Sequence, residues 1–188
     1  MIEPKKFIPE HRETPRIAYG YDSAWGNIPT ILKEIINRFD VKTSRAIEFG
    51  VEFGYSTSAI SNYFDEVIGV DIFTGDVHAG FKGDIFEVTK GVLSSFENIK
   101  LVKSSYQEFI KDNINDYDFA HVDIVHTYED TYACGEWCVN NCKVTVFHDT
   151  LSFPDVYRAC QDLSTKYNLE FYNYEESYGL GILVKKST

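Results

Sequence analysis

The chain has 188 residues, of which 44% are hydrophobic and 15% aromatic, and this composition excludes an intrinsically disordered chain. Asp and Glu outnumber Lys and Arg by 29 to 18, so the net charge is −11. Because a negative field repels phosphate backbones and anionic lipids, we expect neither a nucleic acid nor a membrane surface as a partner. No apolar run approaches the roughly 18 residues of a membrane span, and the first residues lack the apolar stretch of a secretory signal.

The cysteines indicate the compartment. Three of them, Cys134, Cys138 and Cys142, recur at intervals of four and therefore share one face of a predicted helix. Parallel side chains on one helix are poorly placed for a disulfide. A uniform spacing of four is also unsuited to an iron–sulfur cluster, whose ligands wrap around it from a loop. We predict reduced thiols packed in the core of a cytoplasmic protein.

Residues 1–27 are a predicted lead-in segment, of which residues 1–16 are expected to be loosely held, and an amphipathic helix is predicted at 28–39. After this helix the pattern alternates between strands and helices. Short apolar runs predict five strands, at 46–49, 67–70, 99–102, 118–122 and 143–147. Each is followed by a predicted helix, at 56–64, 85–96, 106–112, 128–139 and 154–167, with Ser56 or Thr57 capping the first. Two last strands, near 169–174 and 180–185, are joined by a turn so short that they must be antiparallel.

This order predicts one α/β domain over residues 1–188, with a doubly wound, seven-stranded, mostly parallel sheet that ends in an antiparallel hairpin. In such a sheet, ligands bind at the carboxyl ends of the strands, where the strand order reverses. The polar residues at those ends are therefore the candidates for a site: Glu48, Asp71, Ser104, Asp123, His148 and Asp149.

The loop after the first predicted strand indicates a nucleoside ligand. Gly50 and Gly54 lie four residues apart, which is not the spacing of a dinucleotide fingerprint, and Glu48 stands at the mouth of the loop. Asp71 ends the next strand, where a carboxylate can accept hydrogen bonds from a ribose diol. Together these residues predict a nucleoside that is not part of a dinucleotide. The alternative is that the glycines only form a turn and Asp71 only caps a helix.

Five stretches of the chain resemble one family. The run AIEFGVEFGYST at 46–57 looks like motif I of class I S-adenosylmethionine-dependent methyltransferases, and VIGVD at 67–71 looks like their second-strand motif. The run LVKSSYQEF at 101–109 is similar to the segment that contacts adenine. The runs DFAHVDIVHTYED at 118–130 and VFHDT at 146–150 resemble stretches of a small O-methyltransferase-like branch. The resemblance extends from about residue 44 to about residue 186 and implies a Rossmann-like methyltransferase fold.

The resemblance also implies roles for individual residues toward S-adenosylmethionine. Glu48, Gly50 and Gly54 would surround the methionine moiety, Asp71 would bind the ribose hydroxyls, and the segment after the third strand would lie near adenine. The full implied set of cofactor-binding residues is Glu48, Gly50, Val51, Glu52, Gly54, Thr57, Asp71, Ile72, Ser104, Ser105, Tyr106 and Asp123. The chain departs from the family where Ile124-Val125 replaces a usual Gly-Asp pair, which removes an acid from the site.

Three interpretations remain open for the polar residues after the fourth and fifth predicted strands. In the first, Asp123, His148 and Asp149 hold a divalent metal, Mg²⁺ or a softer ion, as the matching positions do in metal-dependent O-methyltransferases. In the second, His126 or His148 is a general base that Asp149 orients, and Asp123 completes the catalytic set. In the third, the two aspartates only cap the following helices.

The function predicted from these residues is an S-adenosylmethionine-dependent methyltransferase that acts on a hydroxyl of a small molecule or sugar. One alternative is a non-catalytic nucleoside-binding module with the same fold. A weaker alternative, a NAD-dependent oxidoreductase, lacks the third glycine of its fingerprint. Because only about 27 residues precede the first helix, the acceptor pocket is expected to be open or completed by a second subunit, as in a homodimer.

Overall fold

In the computed structural model, which describes residues 3–18, 20–21, 23–79, 82–113 and 115–186, the strands form one sheet in the order β1-β7-β8-β6-β5-β2-β3-β4. The strands are β1 (Lys5–Lys6), β2 (Arg45–Phe49), β3 (Glu66–Asp71), β4 (Ile99–Lys103), β5 (Phe119–Val122), β6 (Val144–His148), β7 (Glu170–Tyr174) and β8 (Leu180–Val184). Strand β8 runs antiparallel to both β6 and β7, and the other pairs are parallel. The predicted fold class, including the hairpin, is confirmed.

The helices cover both faces of the sheet. A 3₁₀ helix (Ile28–Ile31) leads into α1 (Leu32–Arg38), and the remaining helices are α2 (Tyr55–Ile60), α3 (Phe86–Val92), α4 (Tyr106–Asp112), α5 (Tyr128–Asn141) and α6 (Pro154–Lys166). One core cluster joins the sheet to the 3₁₀ helix, α1 and α2, and a second joins it to α5 and α6. Within the described parts of the chain, no helix combines the length and apolarity needed to cross a membrane.

The strand order reverses at the centre of the sheet. Strand β2 lies between β3 and β5, so the chain turns one way after β2 and the other way after β5. Such a reversal leaves a crevice at the carboxyl ends of the strands, because the two connections leave on opposite sides. The crevice therefore lies between the segments that follow Phe49 and Val122.

The prediction of a loosely held segment over residues 1–16 is wrong for its described residues, and Trp25, later in the lead-in, is also packed in the core. Lys5–Lys6 pairs with β7 as an eighth strand, one more than the sequence predicted. Phe7 and Trp25 are each 1% exposed, and Pro15 is buried. The segment is polar on average, but its few apolar side chains fill gaps in the core, and burial of each stabilises the folded chain.

The adjacent residues Phe7 and Ile8 allow a direct test of this packing. The Phe7 ring lies 6.3 Å from the ring of Phe39 and 6.4 Å from that of Tyr174, whereas Ile8 is 62% exposed. Phe7→Ala is expected to lower the free energy of unfolding by about 3 kcal/mol, measured by urea denaturation. Ile8→Ala, the control, is expected to change it by less than about 0.5 kcal/mol. Equal effects of the two variants would contradict a docked lead-in.

The four cysteines behave as predicted. Cys134, Cys138, Cys142 and Cys160 are free and buried. Burial raises the pKa of the Cys138 thiol and of the Cys142 thiol well above the ordinary value. These side chains therefore act as small apolar groups between α5, α6 and the sheet.

Candidate active site

A cavity of about 490 Å³ opens at the carboxyl ends of the parallel strands. Its wall is built from the segments 49–53, 70–72, 104–107, 123–126 and 148–149. Part of the lead-in and part of the loop after β3 complete it, through Tyr21, Trp25, Asp76 and His78 among others. The volume is in the range typical of sites for small ligands and cofactors.

Gly50 allows the tips of β2 and β5 to meet beneath the cavity. Its φ is +92°, and a Cβ atom there would lie 1.7 Å from the backbone oxygen of Asp123. The Asp123 N–H in turn donates to the oxygen of Phe49 at 2.8 Å. Only glycine combines this backbone angle with so close an approach. The sequence predicted a turn or a ligand contact at Gly50, and the structure shows a contact between strand tips in the floor of the cavity.

Asp71 orders the loop that forms one wall. Its Oδ2 atom accepts from the N–H groups of Val51 at 2.7 Å and Glu52 at 2.9 Å, and its Oδ1 accepts from Phe73 N–H at 2.6 Å. A carboxylate has about four acceptor positions, so three backbone contacts do not exhaust it. Asp71 therefore has a structural role in the loop and still faces the cavity, next to Ile72, which is 40% exposed.

The placement of Glu48 and Thr57 differs from the prediction. Glu48 is fully buried, accepts a hydrogen bond from the Thr57 hydroxyl and lies 2.8 Å from Nδ1 of His121. Neither Glu48 nor Thr57 belongs to the cavity wall. Side chains alternate between the faces of a strand, and this alternation directs Glu48 toward α2. Helix α2 also begins one residue early, with Gly54 in a left-handed conformation at its N-cap instead of Ser56 or Thr57.

The segment after β4, which the family resemblance places near adenine, lines the cavity. Ser105 caps α4 by accepting from the N–H of Glu108, and Ser104 lies in the cavity wall beside it. The Tyr106 hydroxyl donates to Asp130 at 2.8 Å and joins α4 to α5. Burial and this hydrogen bond both raise the pKa of Tyr106. Asp130, which the sequence assigned to a helix N-terminus, also lines the cavity.

Two histidines and two aspartates form a compact cluster at the tips of β5 and β6. His148 Nδ1 lies 3.2 Å from Asp123 Oδ2 and 3.3 Å from Asp149 Oδ2. His126 Nε2 lies 3.3 Å from Asp123 Oδ1 and 3.1 Å from Asp149 Oδ2. The structure therefore brings together all four residues that the sequence proposed for catalysis or metal binding.

The charged forms of the two histidines and the two aspartates in this cluster stabilise one another. Burial disfavours charged histidine, but hydrogen bonds to Asp123 and Asp149 outweigh it and raise the pKa of His126 to about 9 and that of His148 to about 10. Burial would likewise raise the pKa values of the two carboxyls, but the same hydrogen bonds lower that of Asp149 to about 2 and that of Asp123 well below its usual range. Two imidazolium groups thus balance two carboxylates.

The donor set of the cluster also fits a divalent cation. One ligand atom each from Asp123, His148 and Asp149 lie within 4.8 Å of one another, in a partly buried position. Imidazole nitrogen with carboxylate oxygen is a set that Mn²⁺, Fe²⁺ and Zn²⁺ accept, and Mg²⁺ accepts its oxygen part. His126 lies beside these three residues. A cation bound by them would displace the proton from the imidazole ring that coordinates it.

Sequence reasoning missed the contribution of the loop after β3. Asp76 and His78 lie in the cavity wall, and His78 Nδ1 accepts from the backbone N–H of His126 at 3.2 Å. The rings of His126 and Phe153 stack at 4.1 Å. The only signal for His78 was its place in a glycine-containing stretch that follows Asp71. Neither the distance between His78 and His126 nor the identity of that partner could be predicted from the pattern.

Solved structures of methyltransferases share the fold of this chain. A candidate caffeoyl-CoA O-methyltransferase from Staphylococcus aureus is similar with a TM-score of 0.65 and 15% identity, over 90% of this chain and 86% of its own. An O-methyltransferase from Bacillus cereus in complex with SAH has a TM-score of 0.56 and 14% identity, over 89% and 84%. The SAH-bound methyltransferase PaMTH1 of Podospora anserina has a TM-score of 0.61 and 11% identity, over 85% and 78%.

Sequence comparisons do not assign the chain to a family. No family model matches the chain. An uncharacterized protein of Sinorhizobium fredii, y4gI, is 30% identical over 125 residues, which is 58% of this chain. The aligned part spans only 13% of that curated relative. The chain thus has the class I methyltransferase fold, and its activity is a matter for inference from the site.

Proposed function

We propose that the chain is an S-adenosylmethionine-dependent methyltransferase that acts on a hydroxyl of a small molecule or sugar, with a divalent metal as an aid. The observation that carries this proposal is the position of Asp71 in the cavity wall, between the loop 50–54 and the segment 104–107. That position fits a ligand whose ribose meets the carboxylate and whose two ends extend in opposite directions along the strand tips.

The chemistry of the wall fits the cofactor. S-adenosylmethionine carries a sulfonium and an ammonium group, and the wall offers several carboxylates to such cations. Gly50, Val51 and Asp71 would hold the methionine and ribose parts, and Ile72 and Ser105 would flank the base. Exposed apolar surface at Ile72 suits a planar ring. When bound, the cofactor supplies a methyl group whose bond to sulfur breaks as its bond to the acceptor oxygen forms.

The cluster at Asp123 would handle the acceptor hydroxyl. A hydroxyl is a very weak acid, and its proton must leave as the new bond forms. Asp123, His148 and Asp149 would hold a divalent ion, which lowers the pKa of an oxygen bound to it. His126, which contacts both aspartates, would orient them. The acceptor would enter beside His126, which lines the cavity and whose ring stacks on that of Phe153.

Transfer of labelled methyl from S-adenosylmethionine to a panel of alcohols and sugars tests this proposal. We expect turnover in the presence of Mg²⁺, Mn²⁺ or Fe²⁺ and its loss with a chelator. Asp149→Asn is expected to weaken Mn²⁺ binding, followed by electron paramagnetic resonance, by at least about tenfold. Asp155→Asn, on the exposed first turn of α6, is the matched control and should leave binding unchanged.

The outcomes separate the alternatives. Turnover that survives chelation, with a large loss in His126→Gln, would favour the metal-free base. Tight binding of S-adenosylhomocysteine without transfer to any acceptor would favour a non-catalytic nucleoside-binding module. Absence of nucleoside binding altogether would reject the proposed function.

A further inference from the structure

The cavity is unusually rich in one sign of charge. Six carboxylate side chains line it, and no lysine or arginine occurs among its described lining residues. The carboxylates are Glu52, Asp71, Asp76, Asp123, Asp130 and Asp149. A cofactor with one net positive charge and a divalent ion would together offset only three of these six negative charges. An acceptor with a phosphate or carboxylate would therefore enter against the field.

Among the described residues, five of these carboxylates have hydrogen-bond or ion-pair partners, and the Glu52 carboxylate has none. Asp71 and Asp76 each accept from backbone N–H groups, Asp130 accepts from Tyr106 and Thr127, and Asp123 and Asp149 are paired with histidines. Within the described parts of the chain, no hydrogen bond or ion pair reaches the Glu52 carboxylate. Its backbone, by contrast, is fixed: the N–H donates to Asp71, and the carbonyl accepts from the Thr89 hydroxyl at 2.7 Å.

Aromatic side chains line the same cavity. The rings of Tyr21 and Phe53 stack with centroids 3.9 Å apart and an interplanar angle of 10°. Trp25 is 1% exposed, lines the cavity, and its Nε1 atom has no hydrogen-bond partner among the described residues. Aromatic faces attract ammonium groups, and an indole N–H can only donate. A ligand that offers both an ammonium group and an oxygen lone pair would match the Glu52 carboxylate, the aromatic rings and the indole N–H of Trp25.

We infer that the acceptor is an amine-bearing hydroxyl compound, an amino alcohol or amino sugar, and that Glu52 binds its ammonium group. The inference rests on the proposed methyl-transfer function and narrows its substrate class. The pairing places the ammonium at Glu52, in the same cavity as Asp71 and the cluster at Asp123, and leaves the hydroxyl to face the cluster. Glu52 is then a specificity residue that distinguishes amines from neutral and anionic acceptors.

Three probes of one size test the inference: ethanolamine, ethylene glycol and glycolate. Their binding to the full chain is followed by nuclear magnetic resonance, with and without saturating S-adenosylhomocysteine. We expect ethanolamine to bind at least about fivefold more tightly than ethylene glycol, as for one partly screened ion pair, and glycolate to bind most weakly. Glu52→Gln is expected to remove the preference for the amine. Glu87→Gln, exposed on α3, is the control that should keep it.

Each outcome decides the matter. If the wild-type chain shows no preference for ethanolamine, including binding of none of the three probes, the inference is wrong. If Glu52→Gln weakens S-adenosylhomocysteine instead, Glu52 belongs to the cofactor site and the inference is again overturned. If S-adenosylhomocysteine fails to bind the wild-type chain, the proposed function fails, and the amine preference measured without it is judged separately.

Discussion

Asp71→Ala is expected to lower the affinity for S-adenosylhomocysteine by about 100-fold, the largest binding effect of any single change in the cavity. Two hydrogen bonds from a ribose diol to a carboxylate contribute about 1.5 kcal/mol each, and their loss corresponds to roughly two powers of ten. The same change removes the acceptor of the Val51, Glu52 and Phe73 N–H groups, so the wall loosens as well. Isothermal titration calorimetry measures the affinity.

Two further variants separate the contribution of Asp71 to ligand binding from its contribution to the order of the loop after β2. Asp71→Asn keeps a carbonyl oxygen that can accept from the loop, and about a tenfold loss of affinity is expected. Asp65→Ala, an exposed position just before β3 at the opposite end of the strand, should leave affinity unchanged. An Asp71→Ala chain that unfolds at the same urea concentration as wild type and still binds with full affinity would contradict the ribose role.

Gly50→Ala is expected to cause the largest loss of stability, about 2–4 kcal/mol. The added Cβ would lie 1.7 Å from the Asp123 backbone oxygen and 2.6 Å from its carbonyl carbon, so the tips of β2 and β5 must separate. Forcing extra atoms into a packed contact costs about 1–3 kcal/mol, and the backbone angle adds about 1 kcal/mol. Urea denaturation measures the loss of stability, and the slope of the unfolding free energy against urea concentration is expected to equal that of the wild-type chain.

Gly83→Ala is the matched control for this substitution. Gly83 also has a positive φ, +125°, but a Cβ atom there would have no atom of the described residues within 4 Å. The control therefore reports backbone strain alone, about 1 kcal/mol. If Gly50→Ala costs no more than Gly83→Ala, the contact between the strand tips does not constrain the site as described.

The order of strands and helices followed from periodicity, because buried parallel strands are short apolar runs whose ends fall at polar residues. The residues at those ends were accordingly found, and Asp123, His126, His148 and Asp149 do converge. The eighth strand was missed since two lysines carry no apolar signal and pair only through the backbone. No local pattern separates a docked polar segment from a loose one.

The direction of a single side chain was harder to predict than the position of its strand. Glu48 lies one residue before the end of β2, whereas Asp71 ends β3, and Glu48 points into the core, where Thr57 and His121 satisfy its carboxylate. A sequence alone does not show which face of β2 carries the cavity. Asp76 and His78 lie in the wall because their loop folds back over it, and this depends on tertiary contacts such as the one from His126 N–H to His78.

A crystal structure of the chain grown with saturating S-adenosylhomocysteine tests the central claim most directly. We expect the nucleoside to occupy the cavity at the end of β3, with both ribose hydroxyls on the Asp71 carboxylate and the sulfur toward Asp123. A nucleoside bound elsewhere on the chain, or a cavity that stays closed to it, would contradict the assignment of this site.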